Sequence, residues 1–464
     1  MRRDLAIILQ MGLAFAFIFS AFNSQGLIEI SVLRKMAELH PESGITENSG
    51  YYSLSIIYFS FTIFNLFVPP VVKKLRPKWS QAVGGLCYLF FELTFFHLNA
   101  MLLYFGSAVL GLGAALLWTG NGCYLVDFSR NGKLGRNSGI LWAMLQSSLI
   151  TGGVFLYYVL QNGDFVNSFK LVYTVFSVVT LLGIACIVFL PSYPPQYEQQ
   201  LEDVIVDDTQ PILSVRSEDD EPIQVFPTSR ADTLEPVRDQ IFHTFRLLST
   251  QEMLMLSVTF MFTGIEMTFY TGVYTACISS TNALSSYSDF IIAYNAFAIG
   301  TSQILGGILN GPALRMFKLN RASCIIFGMI AHLVAFFLCF LVIPFDSTLH
   351  KTDMPTYAQP TLMMTLIISF LLGIADACWQ TQLYVILGEL YRDECIYAFA
   401  IYKFFQSLAA CISFFYSAHL LLHWQLLILT ICCFLSASFF LRIEYLIEVD
   451  NNRPILDDEE EVQA

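Results

Sequence analysis

The sequence predicts an all-α membrane protein with about twelve transmembrane helices in two six-helix halves. The chain is 55% hydrophobic and only 13% charged, whereas soluble domains contain about 25% charged residues. Its mean hydropathy is +0.59. Apolar runs of about 20 residues, each long enough to cross a bilayer, recur along the whole chain. A long polar segment divides these runs into two equal groups.

The N-terminal half is predicted to cover residues 1–190. Its first apolar run follows Arg2 and Arg3 and is too long for the core of a signal peptide, so we expect an uncleaved first helix. The runs are continuously apolar, which favours helices, because the strands of a membrane barrel alternate apolar and polar residues. The predicted spans of this half cover residues 5–27, 50–72, 80–98, 101–126, 138–160 and 171–190.

A polar segment, residues 191–250, separates the halves. It is rich in Pro, Ser, Asp and Glu and cannot bury enough apolar surface to fold alone, so we expect a largely disordered acidic linker. Ser217, which begins the sequence SEDDE, is a candidate phosphorylation site, although a solvated disordered stretch explains the same residues. The linker ends in VRDQIFHTFRLL, whose apolar residues recur at helical spacing and predict a short amphipathic helix on the membrane surface.

The C-terminal half, residues 251–441, is followed by an acidic tail, residues 442–464. A weak internal repeat supports the division into halves, because WAMLQSSL (residues 142–149) matches YKFFQSLA (residues 402–409). Parallel repeats of this kind are found in transporters with two six-helix halves. The predicted spans of this half cover residues 252–278, 288–310, 322–343, 360–389, 395–419 and 424–441.

The distribution of basic residues predicts the orientation, because short cytosolic loops carry an excess of Lys and Arg. With the N-terminus in the cytosol, the outer loops hold only Arg34, Lys35, Lys170 and Lys351. We therefore expect both termini and the linker in the cytosol, in either the plasma membrane or an internal membrane. The inner short segments then hold Arg2, Arg3, Lys73, Lys74, Arg76, Lys78, Arg130, Lys133, Arg136, Arg315, Lys318, Arg321 and Arg392.

Composition also argues against several classes of protein. The net charge of −13 arises mainly in the linker and the tail, so no basic surface for nucleic acid is expected. The 11 cysteines fall mostly one by one in apolar runs and show neither metal-ligand spacing nor a disulfide framework. No nucleophile and base stand in a catalytic pattern. We expect the lipid bilayer as the surrounding partner, and no enzyme activity, metal or cofactor.

Six motifs, spread over both halves, carry a family resemblance. They are SGYYSLSIIY (49–58), LLWTGNG (116–122), GRNSGILWAMLQSS (135–148), GIEMTFYTGVY (264–274), LLGIADACWQTQL (371–383) and FFYSAHLLLHWQLL (414–427). With the layout of spans, they resemble the major facilitator superfamily. Within it they are most similar to the uncoordinated-ninety-three-like branch and its group called major-facilitator-domain-containing protein eleven.

The resemblance implies the major facilitator fold and two kinds of function. The group consists of solute carriers without an agreed substrate, whereas the wider branch includes a potassium-channel regulatory subunit and a chaperone of innate immune receptors. One motif departs from the superfamily pattern. The loop PPVVKKLRPK, residues 69–78, keeps the basic residues that usually follow the second span but lacks the Gly and the acid. This departure weakens the expectation of a standard transport cycle.

Three charged residues, Glu266, Asp376 and Lys403, are predicted deep inside spans. Each costs about 2.5–3.5 kcal/mol at a helix centre on insertion scales, so we expect each to face the interior of the bundle. A buried carboxyl that binds and releases a proton would couple transport to a pH gradient. The alternative is a structural charge pair that locks helices together. Lys403 is predicted close enough to one end of its span for its ammonium group to reach the cytosolic face.

Further polar residues recur at helical spacing, some of them beside these charged residues, and form polar faces on otherwise apolar helices. Such faces either line a central cavity or hold neighbouring helices together by hydrogen bonds. The further cavity candidates are Gln380, Gln406, Ser407, Trp118, Asn121, Gln146 and Tyr270, with Glu92 and Glu29 as weaker ones.

Two functions remain open from the sequence. A secondary transporter of a small solute, with a proton as candidate coupling ion, predicts a polar cavity near the membrane midplane. A non-transporting membrane scaffold that regulates or traffics an ion channel or receptor predicts a sealed core. The buried charges favour the first function, and the missing acid after the second span favours the second.

Overall fold

The computed structural model describes residues 2–46, 48–129, 132–161, 165–192, 236–287, 290–313, 320–417 and 419–463. Eleven helices within these ranges are long and apolar enough to span a membrane. The predicted all-α membrane architecture is therefore confirmed. Ser217 and most of the acidic linker lie outside the described residues, so the disorder and the phosphorylation of the linker stay predictions.

The N-terminal half is built from helices α1 to α5. Helix α2 contains two spans, because 46 residues in a straight helix would measure ~70 Å, more than twice the ~30 Å hydrocarbon core. The chain turns at Arg76, whose φ is 69°, directly before Pro77, which has no amide hydrogen for a helical bond. The helices are α1 (Arg2–Leu39), α2 (Ser49–Thr94), α3 (Ala100–Asp127), α4 (Leu134–Gln161) and α5 (Phe165–Val188).

The C-terminal half begins with a short helix, α6, and continues with six spanning helices. The side-chain oxygens of Asn320 and Thr361 accept hydrogen bonds from backbone amides in the first turns of α9 and α10 and cap them. Helix α12 continues past the predicted last span into the acidic tail. The helices are α6 (Val237–Leu248), α7 (Gln251–Ser280, with a π-helical turn at Phe269–Val273), α8 (Ile291–Ile308), α9 (Arg321–Val342), α10 (Leu362–Leu390), α11 (Cys395–Ser417) and α12 (Leu422–Gln463).

Helix α6 forms at the residues that the sequence predicts. Phe242 and Phe245 are exposed on its outer side, whereas the polar Gln240 is buried against the bundle. His243 Nε2 lies 2.8 Å from Glu394 Oε1, which joins α6 to the turn between α10 and α11. Exposed aromatic side chains are typical of a helix that lies on a membrane surface.

The two halves contact each other at both ends of the bundle. We call the end at which α1 begins the N-terminal face and the other end the opposite face. Toward the N-terminal face, α4 packs against α8 backbone to backbone. A Cβ atom on Gly139 would collide with the carbonyl oxygen of Gly307 and with the Cα atom of Gly311. Only glycine permits this approach.

Aromatic pairs join the halves toward the opposite face. The rings of Tyr58 on α2 and Phe414 on α11 have centroids 5.3 Å apart. Those of Tyr157 on α4 and Phe290, directly before α8, are 5.2 Å apart. Because the halves also meet at the N-terminal face, this conformation is closed at both faces.

Candidate functional site

A buried carboxyl pair lies at the centre of the C-terminal half. Glu266 on α7 and Asp376 on α10 are 1% and 0% exposed. The two carboxyl groups act on each other electrostatically, so they lie close together. Neither oxygen of Glu266 has a hydrogen-bond partner among the described residues. Two ionised carboxyl groups at one buried site repel each other, so a proton on one of them would stabilise the pair.

His332 on α9 lies against the pair. Its Nε2 is 2.5 Å from Glu266 Oε2, and its Nδ1 accepts a hydrogen bond of 3.2 Å from Trp379 Nε1. An indole N–H only donates, so Nδ1 carries no hydrogen and the ring is neutral, with its hydrogen on the nitrogen that faces Glu266. The sequence analysis missed His332. A lone polar residue in the apolar run of a span was the signal that could have found it.

A chain of hydrogen bonds leads from Asp376 to α11. Gln380 Nε2 donates to Asp376 Oδ1 at 3.1 Å, and the Tyr402 hydroxyl donates to Gln380 Oε1 at 2.5 Å. Gln406 Nε2 donates to the Tyr402 hydroxyl at 3.3 Å. Lys403 Nζ donates to Gln406 Oε1 at 2.7 Å. The chain connects the carboxyl pair to an ammonium group on another helix.

Lys403 lies at the boundary between the halves. It is 3% exposed, and its Nζ is 4.5 Å from the ring centroid of Trp118 on α3 and 4.3 Å from that of Tyr402. Desolvated contacts between a cation and an aromatic ring are worth about 2 kcal/mol. The prediction that its ammonium reaches the cytosolic face is wrong, because these rings and Gln406 satisfy the charge inside the bundle.

Two predicted residues form contacts across the boundary. Gln146 on α4 donates a hydrogen bond to Gln303 on α8. Ser407 on α11 accepts one of 3.0 Å from Thr62 on α2. These bonds hold the halves together, so the side chains act here as interhelical contacts. The sequence analysis did not single out Gln303.

The other predicted residues lie in three places. The hydroxyl of Tyr270 donates to Asp376 Oδ2 at 3.4 Å and so joins the carboxyl pair. Asn121 is buried on α3, on the boundary between the halves. Glu29 and Glu92 are buried in the N-terminal half, away from this network.

The void beside Lys403 is small. A cavity of about 10 Å³ is bounded by Trp118, Asn121, Tyr384 and side chains of α4. Trp118 and Tyr384 are also ring neighbours of Lys403. Such a volume holds about one water molecule. The network is thus sealed from both faces in this conformation.

Replacing Tyr402 by Phe is expected to destabilise the fold by about 1–2 kcal/mol, because Gln380 Oε1 and Gln406 Nε2 each lose a buried partner. Thermal unfolding of the purified protein in detergent measures the effect. Tyr384→Phe is the matched control, since its ring lies 5.8 Å from Lys403 Nζ and its hydroxyl makes none of these bonds. Equal stability losses in the two variants would show that the hydrogen bonds of the Tyr402 hydroxyl do not stabilise the fold more than the Tyr384 hydroxyl does.

Comparison with known proteins by sequence finds a family model and relatives that match most of the chain. Residues 41–441 match the family model described as ion channel regulatory protein UNC-93. The chain is 34% identical over 451 residues to UNC93-like protein MFSD11 of Xenopus laevis, and the aligned region covers 96% of this chain and 96% of the relative. It is 24% identical over 504 residues to protein unc-93 homolog A of Mus musculus, with 100% of this chain and 98% of the relative covered.

Solved structures show the same fold. The proton:xylose symporter XylE is similar with a TM-score of 0.62 and 13% identity, over 95% of this chain and 94% of that one. The fucose:proton symporter FucP of E. coli is similar with a TM-score of 0.59 and 10% identity, over 94% and 97%. Identities this low show the fold alone, and they confirm the predicted major facilitator fold.

Proposed function

The chain belongs to the UNC-93 family and has the major facilitator fold, and from this premise we propose that it is a proton-linked secondary transporter of a small solute. The observation that carries the proposal is the hydrogen-bond chain from the Glu266–Asp376 pair to Lys403 at the boundary between the halves. In this fold, transport requires one half to rock against the other around a central site. The same hydrogen-bond network includes the proposed proton-binding pair and extends to the boundary between the two halves.

The network supplies a way to link protonation to movement of the halves. Loss of a proton from the pair adds a negative charge beside Tyr270, and the charge of Asp376 acts on the ammonium of Lys403. Attraction toward that charge draws Lys403 away from Trp118, its contact on the other half. Protonation of the pair restores the contact, so proton binding and closure of the boundary favour each other. We further propose that both termini face the cytosol, because the basic residues are concentrated on that side.

A second function is favoured by the sealed core. The cavity of about 10 Å³ is far smaller than the ~300–1,000 Å³ of typical small-molecule sites. The matched family model is described as an ion channel regulatory protein. As the alternative, we infer a non-transporting scaffold that regulates or traffics an ion channel or receptor. In that function, the network locks the helices and partners bind the outer surface.

Solute uptake into proteoliposomes distinguishes the transporter from the non-transporting scaffold. The purified protein is reconstituted with a trapped pH-sensitive dye and offered a panel of metabolites, with and without an inward proton gradient. We expect uptake of one class of solute, accompanied by acidification of the lumen, and neither in protein-free liposomes. No uptake of any solute, together with a stoichiometric channel or receptor in affinity purification from membranes, would assign the scaffold function instead.

A further inference from the structure

A second polar cluster lies in the core of the N-terminal half, on helices that do not contribute to the network of α7, α10 and α11. Glu29 on α1 and Glu92 on α2 are each 1% exposed, and Tyr173 on α5 is completely buried. Thr180, two helical turns after Tyr173 on α5, donates a hydrogen bond of 2.8 Å to Glu92, so the buried polar sides of α2 and α5 face each other. The charges of both carboxyl groups also act on the Tyr173 hydroxyl. Gln25 lies one helical turn before Glu29, on the same face of α1. We call these four residues the N-half cluster.

The N-half cluster has more polar atoms than hydrogen-bond partners. Thr180 donates to Glu92 Oε1 at 2.8 Å, and Ser53 hydrogen-bonds to Glu29. No partner within the described ranges satisfies Glu29 Oε1, Glu92 Oε2, the Tyr173 hydroxyl or either amide atom of Gln25. Buried polar groups are nearly always hydrogen-bonded or bound to a ligand. Unpartnered buried atoms on α1, α2 and α5, which pack against one another, therefore indicate a bound species.

The chemistry of these atoms identifies the class of species. In the part of the chain that the structure describes, no Lys, Arg or His side chain forms an ion pair with Glu29 or Glu92. Apart from the amide nitrogen of Gln25, which can only donate, the unpartnered atoms are carboxylate, amide and phenol oxygens, with no sulfur or imidazole among them. Hard cations such as Na⁺ and Ca²⁺ prefer oxygen ligands of this kind. We propose that the N-half cluster binds an oxygen-coordinated cation of this class.

The structure limits how such an ion is held. No group of three His, Cys, Asp or Glu side chains suited to a metal occurs among the described residues. The ion is therefore held by two carboxylates and neutral oxygens, as in sites that bind and release their ion. The ring of Tyr173 stacks on Phe95 with centroids 4.4 Å apart, which fixes the position of its hydroxyl.

Glu92 and Tyr173 of the N-half cluster lie a short distance along their helices from the opposite face. Glu92 lies two residues before the end of α2 at Thr94. Tyr173 lies eight residues after the start of α5, a depth of ~12 Å along the helix axis. An ion at this depth joins α1, α2 and α5, so it stabilises the folded N-terminal half by mass action.

Thermal unfolding of the full-length protein in detergent tests the proposal. The protein is freed of ions with EGTA in choline chloride at pH 8, which favours ionised carboxyls. NaCl or CaCl₂ then replaces choline chloride at constant ionic strength. We expect a saturable rise in Tm of roughly 3 °C or more with one of the two cations. A flat Tm with both cations would show that the carboxyls hold only protons and would overturn the proposal.

Variants assign the effect to the cluster. Glu29→Gln is expected to raise the midpoint cation concentration at least tenfold. Glu252→Gln, the same change at an exposed residue in the first turn of α7, is expected to leave the midpoint unchanged. Tyr173→Phe keeps both carboxyls and the stacked ring, so it provides the test if Glu29→Gln fails to fold, and it too should raise the midpoint. A midpoint equal to that of the wild type in every folded cluster variant would place the cation elsewhere.

Discussion

Asp376→Asn is expected to abolish solute uptake driven by a proton gradient while the protein remains folded. Asn keeps a side-chain oxygen that accepts from Gln380, as Asp376 Oδ1 does at 3.1 Å. Its amide nitrogen takes the place of Oδ2, so the substitution removes the titrating group and, of the hydrogen bonds to Asp376, only the 3.4 Å bond from the Tyr270 hydroxyl. Removing a positioned proton-transfer group typically costs on the order of 100-fold or more in rate. The initial rate of gradient-driven uptake in proteoliposomes measures the effect.

The matched control is Asp346→Asn. Asp346 accepts a hydrogen bond of 2.9 Å from Thr352 in the loop between α9 and α10, outside the spans, so its loss should leave uptake unchanged. Size-exclusion profiles and Tm values of both variants establish that they fold. Uptake by Asp376→Asn at the wild-type rate, with the same dependence on the gradient, would remove the carboxyl pair from the proposed mechanism.

Gly139→Ala is expected to destabilise the protein by about 2–3 kcal/mol, within the usual cost of overpacking. The new methyl group would overlap the backbone of α8 at Gly307 and Gly311. Backbone atoms cannot rotate away as a side chain can, so α4 and α8 must separate. Chemical or thermal unfolding measures the loss, and an increase in labelling of cysteines introduced at the N-terminal face would report the separation.

Gly135→Ala, one turn earlier on α4, is the matched control. The nearest atom to a Cβ there is Cγ2 of Val385 at 3.8 Å, an ordinary van der Waals distance. Ala should be neutral at this position or stabilise it by roughly 0.5 kcal/mol, because Ala is the better helix former. The two substitutions therefore differ in the sign of their effect. A similar change in both would mean that α4 and α8 do not pack as closely as described.

The number and order of the spans could be predicted because water and lipid impose a simple requirement on each segment. A run of about 20 apolar residues crosses the membrane wherever it stands. The same argument identified Glu266, Asp376 and Lys403, since a charge in a span is costly enough to stand out. Side-chain contacts between helices could not be predicted in this way, because the rotation of each helix about its axis is set by packing against its neighbours.

That difference explains what the sequence analysis missed. His332 and Gln303 acquire their roles only from side chains on other helices, so the sequence did not predict those roles, even though His332 is a lone polar residue in an apolar run. Lys403 was expected to extend toward water, but Trp118 approaches it from the other half. The kink at Arg76 was expected to be a loop between two spans, whereas the chain remains helical on both sides of one strained residue.

Helix α6 has a mechanical consequence through its contact with Glu394. The contact joins the end of the linker to the turn that connects α10 and α11. Asp376 and Lys403 lie on these two helices, on either side of that turn. The linker therefore ends at the turn from which α10 and α11 enter the core with Asp376 and Lys403, so α6 is attached to the helices of the charged network at a point outside the spans.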